Sequence, residues 1–310
     1  GETYKGKYIK QIADIDLSKW GNWVPIGGTP AFGAGTNRFN KAQYGGGEFK
    51  GSFDGNGHVI SGMTIKVKEV TPFMQEKSND RFYGLFGITG GATIKNLGLV
   101  NYNIDVSYTG VTEDIIIWAG AFSGEFNCPD HNKSYDAPGD MENCYADDGK
   151  ISFNVNPAKN SEASISIQVG GLVGTASLGK IHRCYHGSDI TVKCNSPFYL
   201  AGAGIAATIT HLWITECYNT GSISFPVGDA QMHWEASYVG GIVAEVTPNG
   251  NINTMGKPKE KASYIANCYN AGHLTANTVA GIYVSNNTLA AGYVENCYNV
   301  GFLECQVYPI

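Results

Sequence analysis

The stretch "IANCYNAGHLTA" (265–276) decides the fold, because the chain contains it several times over. "ITECYNTGSISF" (214–225) and "VENCYNVGFLEC" (294–305) align with it without a gap, and "IHRCYHGSDITV" (181–192) differs only at its centre. "MENCYADDGKISF" (141–153) fits with one extra residue. Counted from each cysteine, Met141, Ile181, Ile214, Ile265 and Val294 stand three residues before it. Ile190, Ile223, Leu274 and Leu303 stand six after it, with Ile151 in the same place across the insertion. A glycine-rich apolar segment recurs upstream of each copy: "GAFSG" (120–124), "GGLVG" (170–174), "GAGIA" (202–206), "GGIVA" (240–244) and "AGIYV" (280–284). Short units of this kind cannot bury an apolar face alone, but stacked copies can.

The pattern extends toward the N-terminus without cysteine. "YGLFG" (83–87) precedes Ile94 and Leu97, and "HVISGMTI" (58–65) offers Ile60 and Met63 for the same two places. The cysteine column therefore reads Met63, Leu97, Cys144, Cys184, Cys217, Cys268 and Cys297. A place that accepts Met and Leu is an interior apolar place, where cysteine serves as a small hydrophobe. Stacked equivalent positions present parallel Cβ vectors, which disfavours a disulfide ladder. Intervals of 29 to 51 residues between the cysteines are also unlike metal-ligand spacing. "HRCYH" (182–186) is the one local cluster of candidate ligands, and neither a metal nor a cofactor is expected. Whether Cys128, Cys194 or Cys305 pair is left open.

The economical architecture is all-β: a parallel β-helix of about seven coils, with residues 1–50 forming a cap and first coil and 51–310 the repeats, as one continuous domain. A propeller would need four strands in each unit, and these units supply two or three. Asn219, Asn270 and Asn299 are expected to form a short asparagine ladder at a turn.

Composition agrees. Glycine is abundant at 41 residues and only 15% of residues are charged, so many tight turns are expected. A net charge of −6 with no concentrated basic patch argues against a nucleic-acid partner. No apolar run is long enough to span a membrane. The chain starts at Gly1 and shows no secretory leader, so it is read as a mature or trimmed fragment.

"ADIDLSKWGNWVPIG" (13–27), "FKGSFDGNGHVISGMTI" (49–65), "ATIKNLGLVN" (92–101), "VGGLVG" (169–174) and "NCYNAGHL" (267–274) resemble the GLUG-motif family of bacterial surface and secreted proteins. That family includes adhesin-like proteins and non-catalytic parts of immunoglobulin A peptidases. The resemblance covers nearly the whole chain and implies a right-handed helix and an extracellular or cell-surface setting. The polar insertion at 128–143 and the small residues of "AGAGIA" (201–206) depart from the pattern.

Motifs for a serine hydrolase, a zinc peptidase or a phosphate-cradling loop are missing from the sequence. Candidate carboxylates are Asp14, Asp16, Asp54, Glu113, Asp114, Glu125, Asp147 and Asp148, and each reads more simply as a turn or solvated residue. Insertions at 66–81, 106–117, 154–167 and 226–237 are expected to project along one edge as loops. Their aromatics, Phe73, Tyr108 and Trp234, with Trp118 at the strand edge and together with His233, form the candidate ligand-binding set. The expected function is a non-enzymatic binding module that engages a glycan or host protein. The alternatives are a structural spacer presenting another domain and a carbohydrate-active lyase or hydrolase.

Overall fold

A computed structural model describes residues 3–27, 47–70, 80–127, 138–195, 199–225, 237–247, 263–284 and 292–305. The described residues form strands and turns without a helix, and every strand pair is parallel. The strands assemble into four sheets of eleven, eight, seven and six strands. One circuit shows the pattern. Val173–His182 lies in the eleven-stranded sheet, Tyr185–His186 in the eight-stranded and Asp189–Cys194 in the seven-stranded; Tyr199–Ala203 lies in the six-stranded one. The chain then returns to the first sheet as Ala206–Thr215, one strand further along. This is the arrangement of a parallel β-helix.

Register makes the repeat physical. Ile94, Met141, Ile181, Ile214, Ile265 and Val294 are successive partners in one column. Ile65, Ile104, Ile151, Ile190, Ile223, Leu274 and Leu303 form another. Most of these side chains are buried in one continuous core. Each large aliphatic chain so enclosed contributes roughly 1.5–3 kcal/mol.

Between the first of these columns and the cysteines the chain turns sharply. The residue before each cysteine, or before Leu97, has positive φ: Asn96, Asn143, Arg183, Glu216, Asn267 and Asn296. Four of these six are Asn, the non-glycine residue that best tolerates the left-handed region.

The N-terminal alignment needs correction. Phe53, not Ile60, partners Ile94. Ile60 partners Leu99, two residues past Leu97, while Val59 partners Gly98. Asn56 and Gly57 take positive φ in a turn that lengthens this connection relative to Asn96–Leu97. Met63 is consequently buried but lies outside the cysteine column: its carbonyl accepts from Asn103 N–H, as the Tyr102 carbonyl does from Lys150.

Three of the four expected edge loops begin as sheet. Asn103–Val111 pairs with Thr64–Val70 and with Lys150–Pro157, extending the seven-stranded sheet into 66–70, 106–111 and 154–157. Alternation such as "NIDVSYTGV" supports this, with every second side chain from Ile104 to Tyr108 buried. Residues 226–236 and 71–79 lie outside the described set.

Candidate functional site

Consider first the inner lining of the eight-stranded sheet, which fixes everything outside it. Ala146, His186, Asn219, Asn270 and Asn299 are in register. Asn219 Nδ2 donates to Asn270 Oδ1 at 2.8 Å and Asn270 Nδ2 to Asn299 Oδ1 at 2.7 Å. Each amide also donates to the carbonyl two residues on, Gly221, Gly272 or Gly301. Such fully paired buried amides lock one register and no other. The opposite wall must be glycine: a Cβ on Gly204 would sit 2.3 Å from the Asn219 side chain, and one on Gly241 2.5 Å from that of Asn270. Where the ladder residue is only Ala146, the register on the facing wall allows Ala121 in place of Gly171.

His186 heads this ladder. Its Nδ1 lies 2.8 Å from Asn219 Oδ1, an acceptor, so the proton is on Nδ1. Nε2 is buried with no hydrogen-bond partner. Burial pushes the His186 pKa down from 6.5 to about 4, against smaller opposing effects of Asn219, Asp147 and Asp189.

Next to the ladder, the cysteines stack in one column. Cys144 N–H faces Cys184 Sγ, Cys184 N–H faces Cys217 Sγ, and Cys268 N–H faces Cys297 Sγ, each at 3.4 Å. The column cysteines Cys144, Cys184, Cys217, Cys268 and Cys297 are free thiols, and burial pushes those of Cys144 and Cys217 upward. Buried, protonated thiols of this kind are packing groups rather than nucleophiles.

On the outside of the same strands stands the feature that sequence reasoning passed over. Tyr145, Tyr185, Tyr218, Tyr269 and Tyr298 stack face to face, with centroids 5.0, 4.8, 4.9 and 5.2 Å apart and planes within 8°. They are the second residue of each Cys-Tyr pair and point outward because alternate residues of a strand face opposite sides. The stack ends over Gly98, where an added Cβ would lie 2.5 Å from the Tyr145 ring. The first four rings are half-buried and Tyr298 is 56% exposed. Burial, then the Asp147 carboxylate, pushes Tyr185 up to about 12, and burial also raises Tyr218 and Tyr269. Tyr185, Tyr218 and Tyr269 therefore present neutral hydroxyls that can both donate and accept.

A polar network lies on the eleven-stranded sheet and at the turn that leads from it to the tyrosine strands. Arg183 Nη2 meets Glu142 Oε1 at 3.0 Å, Arg183 Nε donates to His182 Nε2 at 2.7 Å, and His182 Nδ1 lies 2.7 Å from Thr215 Oγ1. Because the ring faces are used within the stack, ligands can meet only hydroxyls, ring edges and the open face of Tyr298. Together these groups form a hydrogen-bonding strip flanked by charge.

The ligand residues expected from the sequence fare differently. Trp118 is only 2% exposed and stacks on Phe82 at 5.0 Å with an 8° tilt. It lies on the outer face of the six-stranded sheet, in a cluster with Phe82, Ile88 and Ile116. Tyr108 is 3% exposed, and its hydroxyl lies 2.5 Å from that of Tyr83. Both are packing residues and no ligand can stack on them. Phe73, His233 and Trp234 lie outside the described residues.

Four of the candidate carboxylates, Asp14, Asp16, Asp54 and Asp114, are committed to the chain itself. Asp54 accepts from Tyr8 OH at 2.6 Å, Asn96 Nδ2 at 3.0 Å and Asn56 N–H at 2.9 Å, with Lys95 Nζ at 3.5 Å. The Tyr8 hydroxyl and the Asn96 amide hold its carboxyl well below the usual range. Asp14 accepts from Val59 N–H, Asp16 from Ser18 N–H and Asp114 from Ser164 N–H. In "HRCYH", His182 bonds Thr215 outside the sheet while Cys184 and His186 face inward, so the three do not converge.

The chain thus belongs, by its architecture, among proteins built of stacked parallel strands. No protein-family model matches it, and no curated protein matches it in sequence. Its structure is similar over its full length to a solved structure from Bacteroides ovatus, described as a "putative immunoglobulin A1 protease", with a TM-score of 0.56 and 20% identity. The match spans 74% of that chain and shows a shared fold.

Proposed function

We propose that this chain is a non-enzymatic binding module of a secreted or cell-surface protein. It is a right-handed parallel β-helix of about seven GLUG-type coils that engages a glycan or an extracellular protein. The observation that carries this reading is the outward tyrosine stack with its flanking Glu142–Arg183–His182–Thr215 network. Aromatic rims and hydroxyls beside a fixed ionic network suit the mixed apolar and hydroxyl surface of sugars, and equally the centre of a protein interface. The binding strip accordingly moves from the edge loops to the tyrosine face.

The likeness to the Bacteroides ovatus protein supports the fold, and a peptidase role for this chain is not part of the proposal. Asp14, Asp16 and Asp54, candidates for acid–base work in the sequence, are tied to backbone N–H groups of nearby turns and strands. Glycan and extracellular-protein arrays probed with the purified chain test the proposal. A reproducible ligand whose signal falls with Tyr218→Ala supports it. Binding indifferent to Tyr218, or turnover of a polysaccharide or of immunoglobulin A, overturns it.

A further inference from the structure

Three hydroxyls of the tyrosine stack are unclaimed among the described residues. Elsewhere Tyr8 donates to Asp54, Tyr83 meets Tyr108, and Tyr199 and Tyr264 donate to Glu245 and Glu295. The hydroxyls of Tyr185, Tyr218 and Tyr269 hydrogen-bond to no described residue. Stacking holds their rings in one orientation, so the hydroxyls stand at fixed positions. Tyr145, Tyr185, Tyr218 and Tyr269 follow one another at 5.0, 4.8 and 4.9 Å, with planes 3° to 4° apart. A second outward row, Asn143, Arg183, Glu216 and Asn267, is exposed beside them. It too stacks coil upon coil: Asn143 N–H donates to the His182 carbonyl, Arg183 N–H to that of Thr215 and Glu216 N–H to that of Ala266. On the other flank stand the short residues Gly187, Thr220 and Ala271, aligned by N–H donation to the Ala146, His186 and Asn219 carbonyls.

A surface that repeats the same hydroxyl at every coil is matched by a ligand that repeats as well. An extended peptide advances about 3.3 Å per residue, so its groups fall out of step with the row within two coils. A net charge of −6 disfavours nucleic acid and polyanionic glycans, and Arg183, the cation of these rows, is already paired with Glu142. A straight, β-linked chain of neutral sugars advances by about one coil spacing per sugar. Its hydroxyls both donate and accept, as the phenols do.

Resting on the binding-module reading above, we propose that the tyrosine row holds a neutral, straight, β-linked glycan chain laid along the stacking direction, with one sugar per coil. Calorimetric titration of the intact chain with β-1,4-linked glucose, mannose and N-acetylglucosamine oligomers of two to six sugars tests it. Oligomers of α-1,4-linked glucose, which coil instead of extending, are the control. Within a β-linked series that binds, affinity should rise roughly two- to tenfold with each sugar up to about four, while the α-linked series gains nothing. Tyr185→Phe and Tyr218→Phe keep the rings and remove only the hydroxyls. Each should leave the melting temperature unchanged and weaken binding of the four-sugar oligomer roughly two- to tenfold. No binding of any β-linked oligomer, affinity independent of length, an equal gain with the α-linked series, or binding untouched by both Phe variants would overturn the proposal. If the chain then still holds a branched glycan or an extracellular protein in a manner lost with Tyr218→Ala, the module reading survives and only the axial glycan chain is refuted.

Discussion

Acidification from pH 7 to pH 5 is expected to weaken the fold through a single buried imidazole, that of His186. Its environment favours the neutral form: the ring is fully enclosed, Nδ1–H is committed to Asn219 Oδ1, and Nε2 has no acceptor for a second proton. The folded pKa is about 4 against 6.5 in the unfolded chain, so the unfolded state binds the proton first as pH falls. Stability is complete above 6.5, is lost progressively below it, and levels off once pH passes under 4. Integrating that difference gives a loss of about 2 kcal/mol by pH 5 and about 3 kcal/mol by pH 4, to order of magnitude. Urea unfolding at a series of pH values measures this, with His186→Asn as the control, since an Asn there continues the ladder and cannot titrate. The variant should lack the His186 share of the acid sensitivity while retaining the share due to carboxylates. Identical pH dependence of variant and parent between pH 7 and 5 would refute the reasoning.

Other expectations follow from the same columns. Asn270→Ala removes the middle of the ladder and strands the Asn219 and Gly272 partners, so urea midpoints should report a loss of about 2–4 kcal/mol. Cys217→Ser should cost roughly 1–3 kcal/mol in the same assay, because a hydroxyl replaces a thiol in a buried column, whereas reducing agent should leave the melting temperature unchanged. Glu216→Asn, at positive φ on the surface, should raise stability by about 0.5–1 kcal/mol in thermal melts. Tyr218→Ala breaks two ring pairs and should cost about 1–3 kcal/mol, measured beside its binding defect.

Much of this architecture was legible because the columns repeat at fixed offsets from each cysteine. Ile181, Ile214 and Ile265, or Asn219, Asn270 and Asn299, are separated by irregular insertions, yet each keeps its distance from Cys184, Cys217, Cys268 or Cys297. The reading slipped where the offset itself changed. The turn at Asn56–Gly57 lengthens its coil and moves Ile60 and Met63 into other columns. Exposure was the harder quantity. Trp118 lies on an outward sheet face, as its pattern suggests, but it is buried there in a cluster with Phe82 and Ile88 from other strands. Nothing within one unit's sequence reports such a neighbour. The tyrosine stack was present in every Cys-Tyr pair, and strand alternation was the signal that could have revealed it, since an inward cysteine requires an outward tyrosine.

Both the ladder and the binding strip exist only if the coils stack in this register, and ring-to-ring contacts in solution report that register directly. Nuclear Overhauser spectroscopy on protein with isotopically labelled tyrosine should give contacts from Tyr185 to Tyr218, Tyr218 to Tyr269 and Tyr269 to Tyr298, whose rings lie 4.8 to 5.2 Å apart. Contacts in that order, between residues far apart in sequence, are what the stacked register predicts. Tyrosines without mutual contacts, or contacts that skip a coil, would contradict it.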